Sequence, residues 1–254
     1  MSEVAIPDDW YRYAYPPSMA NTPWAQRTAS EVDRVLEILE PLPGAKILDL
    51  ACGTGRHAIE LSRRGFSVLG VELLEDNVAV ARADAEAESL DIDFLVADVR
   101  GLAIDGGYEL VLSLNDGAIG YFPTEEENRM VFDAVARALS PGGRHLAQLP
   151  NVMHAEAFMP TKGWIEGAGA LELIDHRWNV HTRRLEGATA SIVVGEPFEG
   201  LEMVPFRKRL YSLDELASLY ASVGMELRDV YRGNGKPGRP RRTQYEIFVV
   251  AVKN

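Results

Sequence analysis

The stretch ILDLACGTGRHA, residues 47–58, decides how the rest of the chain is read. An apolar run ends in Gly53-x-Gly55-x-x-Ala58, the spacing of a turn that brings backbone up to a dinucleotide. Glycine suits such a turn because it has no Cβ to clash with a ligand. The run before it reads as a buried strand, and RHAIELSRRG after it as a helix stopped by Gly65. Asp49 stands at the end of that strand, just ahead of the turn. The glycines alone leave a nicotinamide cofactor, a flavin and other ligands open.

Outward from this turn the chain alternates strand and helix. Upstream, Val32, Val35, Leu36 and Leu39 give one apolar face to a helix over about 28–40, which Pro41 and Pro43 end. Downstream come FSVLGVE (strand), EDNVAVARADAEAE (helix), IDFLVAD and YELVLSLN (strands). A long helix follows in TEEENRMVFDAVARALSPGG, with Thr124 as N-cap and acids in its first turn, and then the strand RHLAQLP. Strands that are apolar nearly throughout, with helices between them, indicate a parallel sheet covered on both faces. The pattern changes over 151–210, where alternating stretches such as ALELIDHRWNVHTRRLEGATASIVV read as antiparallel strands. Helix returns in SLDELASLYASVG, with Ser212 and Glu215 as a capping box. The last two strands, MELRDVYR and QYEIFVVAV, are too close in sequence for a parallel crossover, so the pair is antiparallel. The predicted fold is α/β: a doubly wound, mostly parallel seven-stranded sheet with an antiparallel last strand, plus a small antiparallel β insertion. The predicted division is an N-terminal cap segment over 1–27, a main domain over 28–150 and 211–254, and a β-rich insertion over 151–210 serving as substrate lid or dimer interface.

Composition narrows the partners. A net charge of −12 over 254 residues repels phosphate backbones and anionic membranes, so neither nucleic acid nor membrane is expected. No apolar run reaches the roughly 18–20 residues of a membrane span. One cysteine, Cys52, permits no intramolecular disulfide. The N-terminus lacks the pattern of a signal peptide, and a cytoplasmic location is expected.

The acids that follow the turn bear on its ligand. Glu72 ends the second strand about twenty residues on, where a carboxylate takes both hydroxyls of a ribose. Asp98 ends the third strand, placed for an adenine amine, with the N–H of Val99 for a ring nitrogen. A pyrophosphate at the turn would be repelled by Asp49, whereas an ammonium group would be attracted. S-adenosylmethionine, with an amino-acid end, a sulfonium, a ribose and an adenine, answers that description.

In order and spacing, ILDLACGTG, GVE, VADV, YELVLSLN and ALSPGGRHLAQLPN resemble the successive motifs of class I S-adenosylmethionine-dependent methyltransferases. The resemblance is strong over about 28–150 and weaker to the end, and within the family it points to small-molecule enzymes with a β insertion after strand five. It implies that Asp49 and the backbone from Ala51 through Gly53 to Gly55 hold the methionine end, with Arg56 and His57 reaching its carboxylate. Glu72 would take the ribose, Leu73 flank the adenine, Asp98 and Val99 meet its edge, and Asn115 lie near the amino-acid moiety and the methyl group. An aromatic from Tyr11, Tyr13 or Tyr15, with Tyr13 taken as representative, would fold over the cofactor.

The acceptor side is thinner. His154, just past strand five, is the candidate base, and Tyr121 a candidate for the substrate pocket. His145 falls at the wrong end of its strand and reads as structural, and His154, His176 and His181 lack metal-ligand spacing. Asp116 stands alone, so no metal is expected. No Pro-Pro follows strand four, unlike in enzymes that methylate nucleic-acid amines. The expected partner is a small-molecule acceptor, aromatic by the Trp and Tyr content or acidic by the loop cations Lys236, Arg239, Arg241 and Arg242, with a homodimer open. An NAD(P)-dependent oxidoreductase and a non-catalytic S-adenosylmethionine-binding protein are the alternatives.

Overall fold

The computed structural model describes residues 6–15, 17, 27–115, 117–167, 170–193 and 203–254. Much of the proposed cap segment, and Asp116, lie outside these residues.

Five parallel strands form first: β1 (Lys46–Leu50), β2 (Ser67–Glu72), β3 (Asp93–Val96), β4 (Tyr108–Ser113) and β5 (Leu139–Pro150). They alternate with α1 (Thr28–Leu39), α2 (Arg56–Arg63), α3 (Glu75–Ala87) and α4 (Glu125–Ala138). Thr124 caps α4 in a reciprocal box with Glu127. After β5 come α5 (Val152–Phe158) and four antiparallel strands, β6 (Thr161–Gly167), β7 (Ala170–Asn179), β8 (Arg184–Val193) and β9 (Val204–Arg209). Helix α6 (Leu213–Ser222), capped by the Ser212–Glu215 box, leads to β10 (Met225–Arg232) and β11 (Glu246–Lys253).

The main sheet has seven strands in the order β10-β11-β5-β4-β1-β2-β3. Only β11 runs against the others, antiparallel to both β10 and β5. The expected fold class is therefore the observed one. β11 lies inside the sheet, buried at six of its eight positions. β5 starts earlier than RHLAQLP: Leu139 already pairs with Tyr108, and a register shift absorbs the Pro-Gly-Gly turn. Helix α5 replaces strand at the start of the insertion because Asn151 caps it, its side chain accepting the Met153 N–H at 3.1 Å. Among the described residues no helix is long and apolar enough to cross a membrane.

The core lies on both faces of the seven-stranded sheet, between it and the helices. A hydrogen-bonded polar cluster is set deep within it. His145 on β5 is fully buried, its Nε2 3.0 Å from Ser113 Oγ and its Nδ1 2.7 Å from Tyr220 Oη. Burial pushes the imidazole down to about 3, so it stays neutral in the fold. In the unfolded chain it takes up a proton below pH 6.5, so its contribution is complete above that pH and is lost as pH falls toward about 3. Between pH 6.5 and 5 this one group is expected to remove about 2 kcal/mol of stability, read by urea unfolding at both pH values. A His145→Gln variant would show a correspondingly shallower pH slope.

Candidate active site

The carboxyl ends of β1, β2, β4 and β5 and the four-stranded sheet enclose a cavity of about 930 Å³. One end of it is built on the glycine turn. Ala51, Gly53 and Gly55 all take positive φ, at 54°, 57° and 77°, which folds the chain sharply between β1 and α2. A Cβ on Gly53 would meet no atom within 4 Å, so the turn offers bare backbone to the cavity. Gly55 is needed for packing: a Cβ there would stand 2.8 Å from Ala81 Cβ and 2.9 Å from the Phe94 ring.

Glu72 braces this turn. Its Oε2 accepts the Gly53 N–H at 3.0 Å and its Oε1 the Leu74 N–H at 3.0 Å. A carboxylate has about four acceptor positions, so two remain for a ligand in the cavity that Glu72 and Leu73 line. Asp49 sits deeper than a strand-end ligand position: it is 1% exposed and is not in the cavity wall. Its Oδ2 is buried with no hydrogen-bond partner. Burial pushes its carboxyl up to about 7, helped by Glu72 and opposed by Arg56 and the Ala58 N–H. Cys52 is buried and its thiol is pushed up by burial and by these two acids, the state of a packing residue.

Arg56 and His57 begin α2 and meet a partner that the sequence did not reveal, Glu31 on α1. Arg56 Nη1 bonds both Glu31 and Thr28, and His57 Nε2 is 2.9 Å from Glu31 Oε2. The hydrogen bond from His57 and the charge of Arg56 outweigh burial and hold Glu31 down to about 2. Burial lowers His57. Arg56 Nη2, however, is buried with no partner, on a side chain that lines the cavity.

Asp98 and Val99 also line the cavity. Asp98 caps a 3₁₀ turn over Val99–Gly101 through the Arg100 N–H at 2.9 Å, and Arg100 Nη2 lies 2.6 Å from its Oδ2. Arg100 holds its carboxyl below the ordinary range. The same guanidinium reaches Glu127, and its Cζ lies 4.3 Å from the Phe122 ring centre. Asn115 is in the wall with φ 49°, its N–H donating to Gln148 Oε1 at 3.3 Å.

The N-terminal segment covers the cavity with Tyr11 and Tyr15, while Tyr13 points away. Tyr13 is 67% exposed, outside the cavity, with its hydroxyl 3.5 Å from Asp9. Buried Trp10 anchors the segment and turns its neighbours inward, with Tyr121 at 4.8 Å between ring centres. Tyr15 stacks on Tyr121 at 6.0 Å, and Asn77 donates to the Tyr15 carbonyl at 3.0 Å.

At the other end the four-stranded sheet forms a wall. Ile174, Thr189, Val204 and Phe206 face the cavity together with Glu172, His176 and Lys208, none of which the sequence singled out as a ligand. His154 on α5 lines the cavity, its Nδ1 2.9 Å from the Arg242 carbonyl. A carbonyl oxygen only accepts, so Nδ1 carries the hydrogen and Nε2 is the basic nitrogen. The cations of the 236–242 loop do not line the cavity, which that loop's flanks reach through Gly233, Asn234, Gln244 and Tyr245. No cluster of three metal-ligating side chains occurs among the described residues.

This sheet order, with its inserted antiparallel strand and its site at the carboxyl ends, is the fold of class I S-adenosylmethionine-dependent methyltransferases. Residues 47–143 match the methyltransferase domain family. A methyltransferase structure from Clostridium acetobutylicum, described as S-adenosylmethionine-dependent, superposes with a TM-score of 0.75 at 15% identity, covering 93% of this chain and 94% of that one. CalS10, an amino pentose methyltransferase from Micromonospora echinaspora solved with S-adenosylmethionine bound, superposes with a TM-score of 0.65 at 19% identity over 100% of both chains. The ubiquinone biosynthesis O-methyltransferase of Roseobacter denitrificans is 39% identical over 87 residues, 34% of this chain and 35% of that protein. The chain spans between 35% and 62% of the length of four curated relatives that it matches.

Proposed function

We propose that the chain transfers the methyl group of S-adenosylmethionine to a small-molecule acceptor held between the glycine turn and the four-stranded wall. The observation that carries this reading is Arg56 Nη2, a buried cationic donor without a partner beside bare turn backbone. A buried polar atom left unpaired costs about 1–3 kcal/mol, more when charged, and a ligand carboxylate at the N-terminus of α2 would recover it. Asp49 Oδ2 suits an ammonium group in the same way, acting from beneath the turn. Glu72 would take the ribose hydroxyls, with Leu73, Asp98, Val99 and Asn115 around the nucleoside and Tyr11 or Tyr15 above it.

When bound, S-adenosylmethionine supplies an electrophilic sulfonium methyl group. The residues then hold the acceptor in line with it, and the wall and tyrosines exclude water. His154 Nε2 is the proposed proton acceptor, and Tyr121 the aromatic neighbour of the acceptor. Residues 151–210 act as the lid. An O-methyltransferase and an amino-sugar enzyme both resemble this chain, so likeness leaves the acceptor open. Turnover of labelled S-adenosylmethionine against a panel of small amines, alcohols, phenols and acids tests the activity. Cofactor binding with no labelled product across that panel would instead favour a non-catalytic binding protein.

Asp49 adds a pH signature. Its carboxyl, raised to about 7 in the free protein, attracts an ammonium held above the turn only when it is ionised. Affinity for S-adenosylhomocysteine is therefore expected to tighten about tenfold from pH 6 to pH 8 by calorimetry. Stability of the free protein runs the other way: the fold keeps this proton between about pH 4 and 7, so Asp49 destabilises it as pH rises through that window. In Asp49→Asn the pH dependence of affinity should flatten; an unchanged pH dependence would place its cause elsewhere.

A further inference from the structure

The cavity face of β7 carries Glu172, Ile174 and His176 at alternate positions, as a strand must. Glu172 is 3% exposed and its Oε2 has no hydrogen-bond partner; His176 is 7% exposed and its Nε2 has none. Four residues apart, at about 3.3 Å each, the two lie some 13 Å from one another and cannot pair. The charge of Lys208 on β9 acts on Glu172, and its Nζ sits 5.3–5.8 Å from the ring centres of Tyr121, Phe206 and Tyr15. An apolar residue of similar volume would fill the Glu172 position at lower cost, so its carboxyl calls for a ligand that completes it.

We propose that this wall selects acceptors carrying a basic nitrogen, and that Glu172 receives the N–H of that nitrogen. Burial raises the Glu172 carboxyl to about 7, with Lys208 opposing. An ammonium ligand restores its ionised form and makes a charge-assisted bond, about twice as strong as the bond from a neutral hydroxyl. A carboxylate ligand faces repulsion from the same group. The aromatic rings of Tyr15, Tyr121 and Phe206 suit the apolar body of such an acceptor, while the atom that is methylated is left open. The proposal rests on the methyl-transfer reading and names its substrate class.

Three matched series test it by calorimetry on the protein saturated with S-adenosylhomocysteine. They are benzylamine, benzyl alcohol and benzoate; cyclohexylamine, cyclohexanol and cyclohexanecarboxylate; and glucosamine, glucose and glucuronate. In at least one series the amine is expected to bind about tenfold or more tightly than its alcohol and acid. In Glu172→Gln that preference should collapse while S-adenosylhomocysteine affinity stays unchanged, which also reports an intact fold. An amine preference in no series, whether nothing binds or the alcohol or acid binds as well, overturns the proposal. So does a preference that survives in Glu172→Gln. Failure of S-adenosylhomocysteine itself to bind would strike the methyl-transfer reading instead.

Discussion

Replacing Glu72 with alanine is expected to weaken S-adenosylhomocysteine binding by about 100-fold or more. Two effects combine. In the proposed complex the carboxylate accepts the ribose hydroxyls, and the variant loses those bonds, each worth about 1.5–3 kcal/mol when an ionised group takes part. It would also release the Gly53 and Leu74 N–H groups, both now held at 3.0 Å, and the turn would lose its brace. Glu72→Gln separates the two, because its amide keeps one carbonyl acceptor and the side-chain volume but not the charge. Calorimetry should rank the glutamine variant between wild type and alanine. A loss of only about twofold in Glu72→Ala would mean that Glu72 shapes the turn and touches no ligand.

The second large effect falls on stability and on how the four-stranded sheet is attached. Gly120 takes φ +83°, and a Cβ there would stand 2.1 Å from the Arg209 carbonyl oxygen. The contact is backbone against backbone, since the Arg209 N–H also donates to the Gly120 carbonyl at 2.7 Å. Arg209 ends β9, and its guanidinium bonds Glu125 at 2.8 Å and Glu215 at 2.6 Å, in the first turns of α4 and α6. An alanine at 120 would therefore push β9 off its attachment. Left-handed backbone costs an L-residue about 1–2 kcal/mol, and the collision adds to that. A total of about 3 kcal/mol or more would lower Tm by roughly 6–12 °C in a chain of this size. Gly44→Ala is the control: it has φ +75° with nothing within 4 Å of a Cβ, so it carries the strain without the collision. Equal melting shifts in the two variants would refute the argument that contact with Arg209 matters.

The sequence made the sheet legible because each strand is a short apolar run bounded by a capped helix or a glycine, and local pattern is enough for that. Both capping boxes, Thr124 with Glu127 and Ser212 with Glu215, lie within four residues of chain. The partners that tertiary packing supplies were hidden. Glu31 reaches Arg56 and His57 only because α1 packs on α2, 25 residues away in sequence. In YRYAY every tyrosine reads alike, and it took the burial of Trp10 to turn Tyr11 and Tyr15 inward and Tyr13 out. Asp49 was placed correctly on its strand but not in depth, because the turn folds over it. Helix α5 has only seven residues, two of them buried, too few to set a helical period apart from the alternation around it. On β7, alternation tells which residues share a face with Glu172, but not that this face closes a cavity.

We propose that the turn in ILDLACGTGRHA holds an S-adenosyl amino acid. Calorimetric titration of the protein with S-adenosylhomocysteine, and separately with NADH, tests it most directly. One-site binding of S-adenosylhomocysteine, weakened in Arg56→Ala, is expected, with no binding of NADH. Binding of NADH without binding of S-adenosylhomocysteine would contradict it.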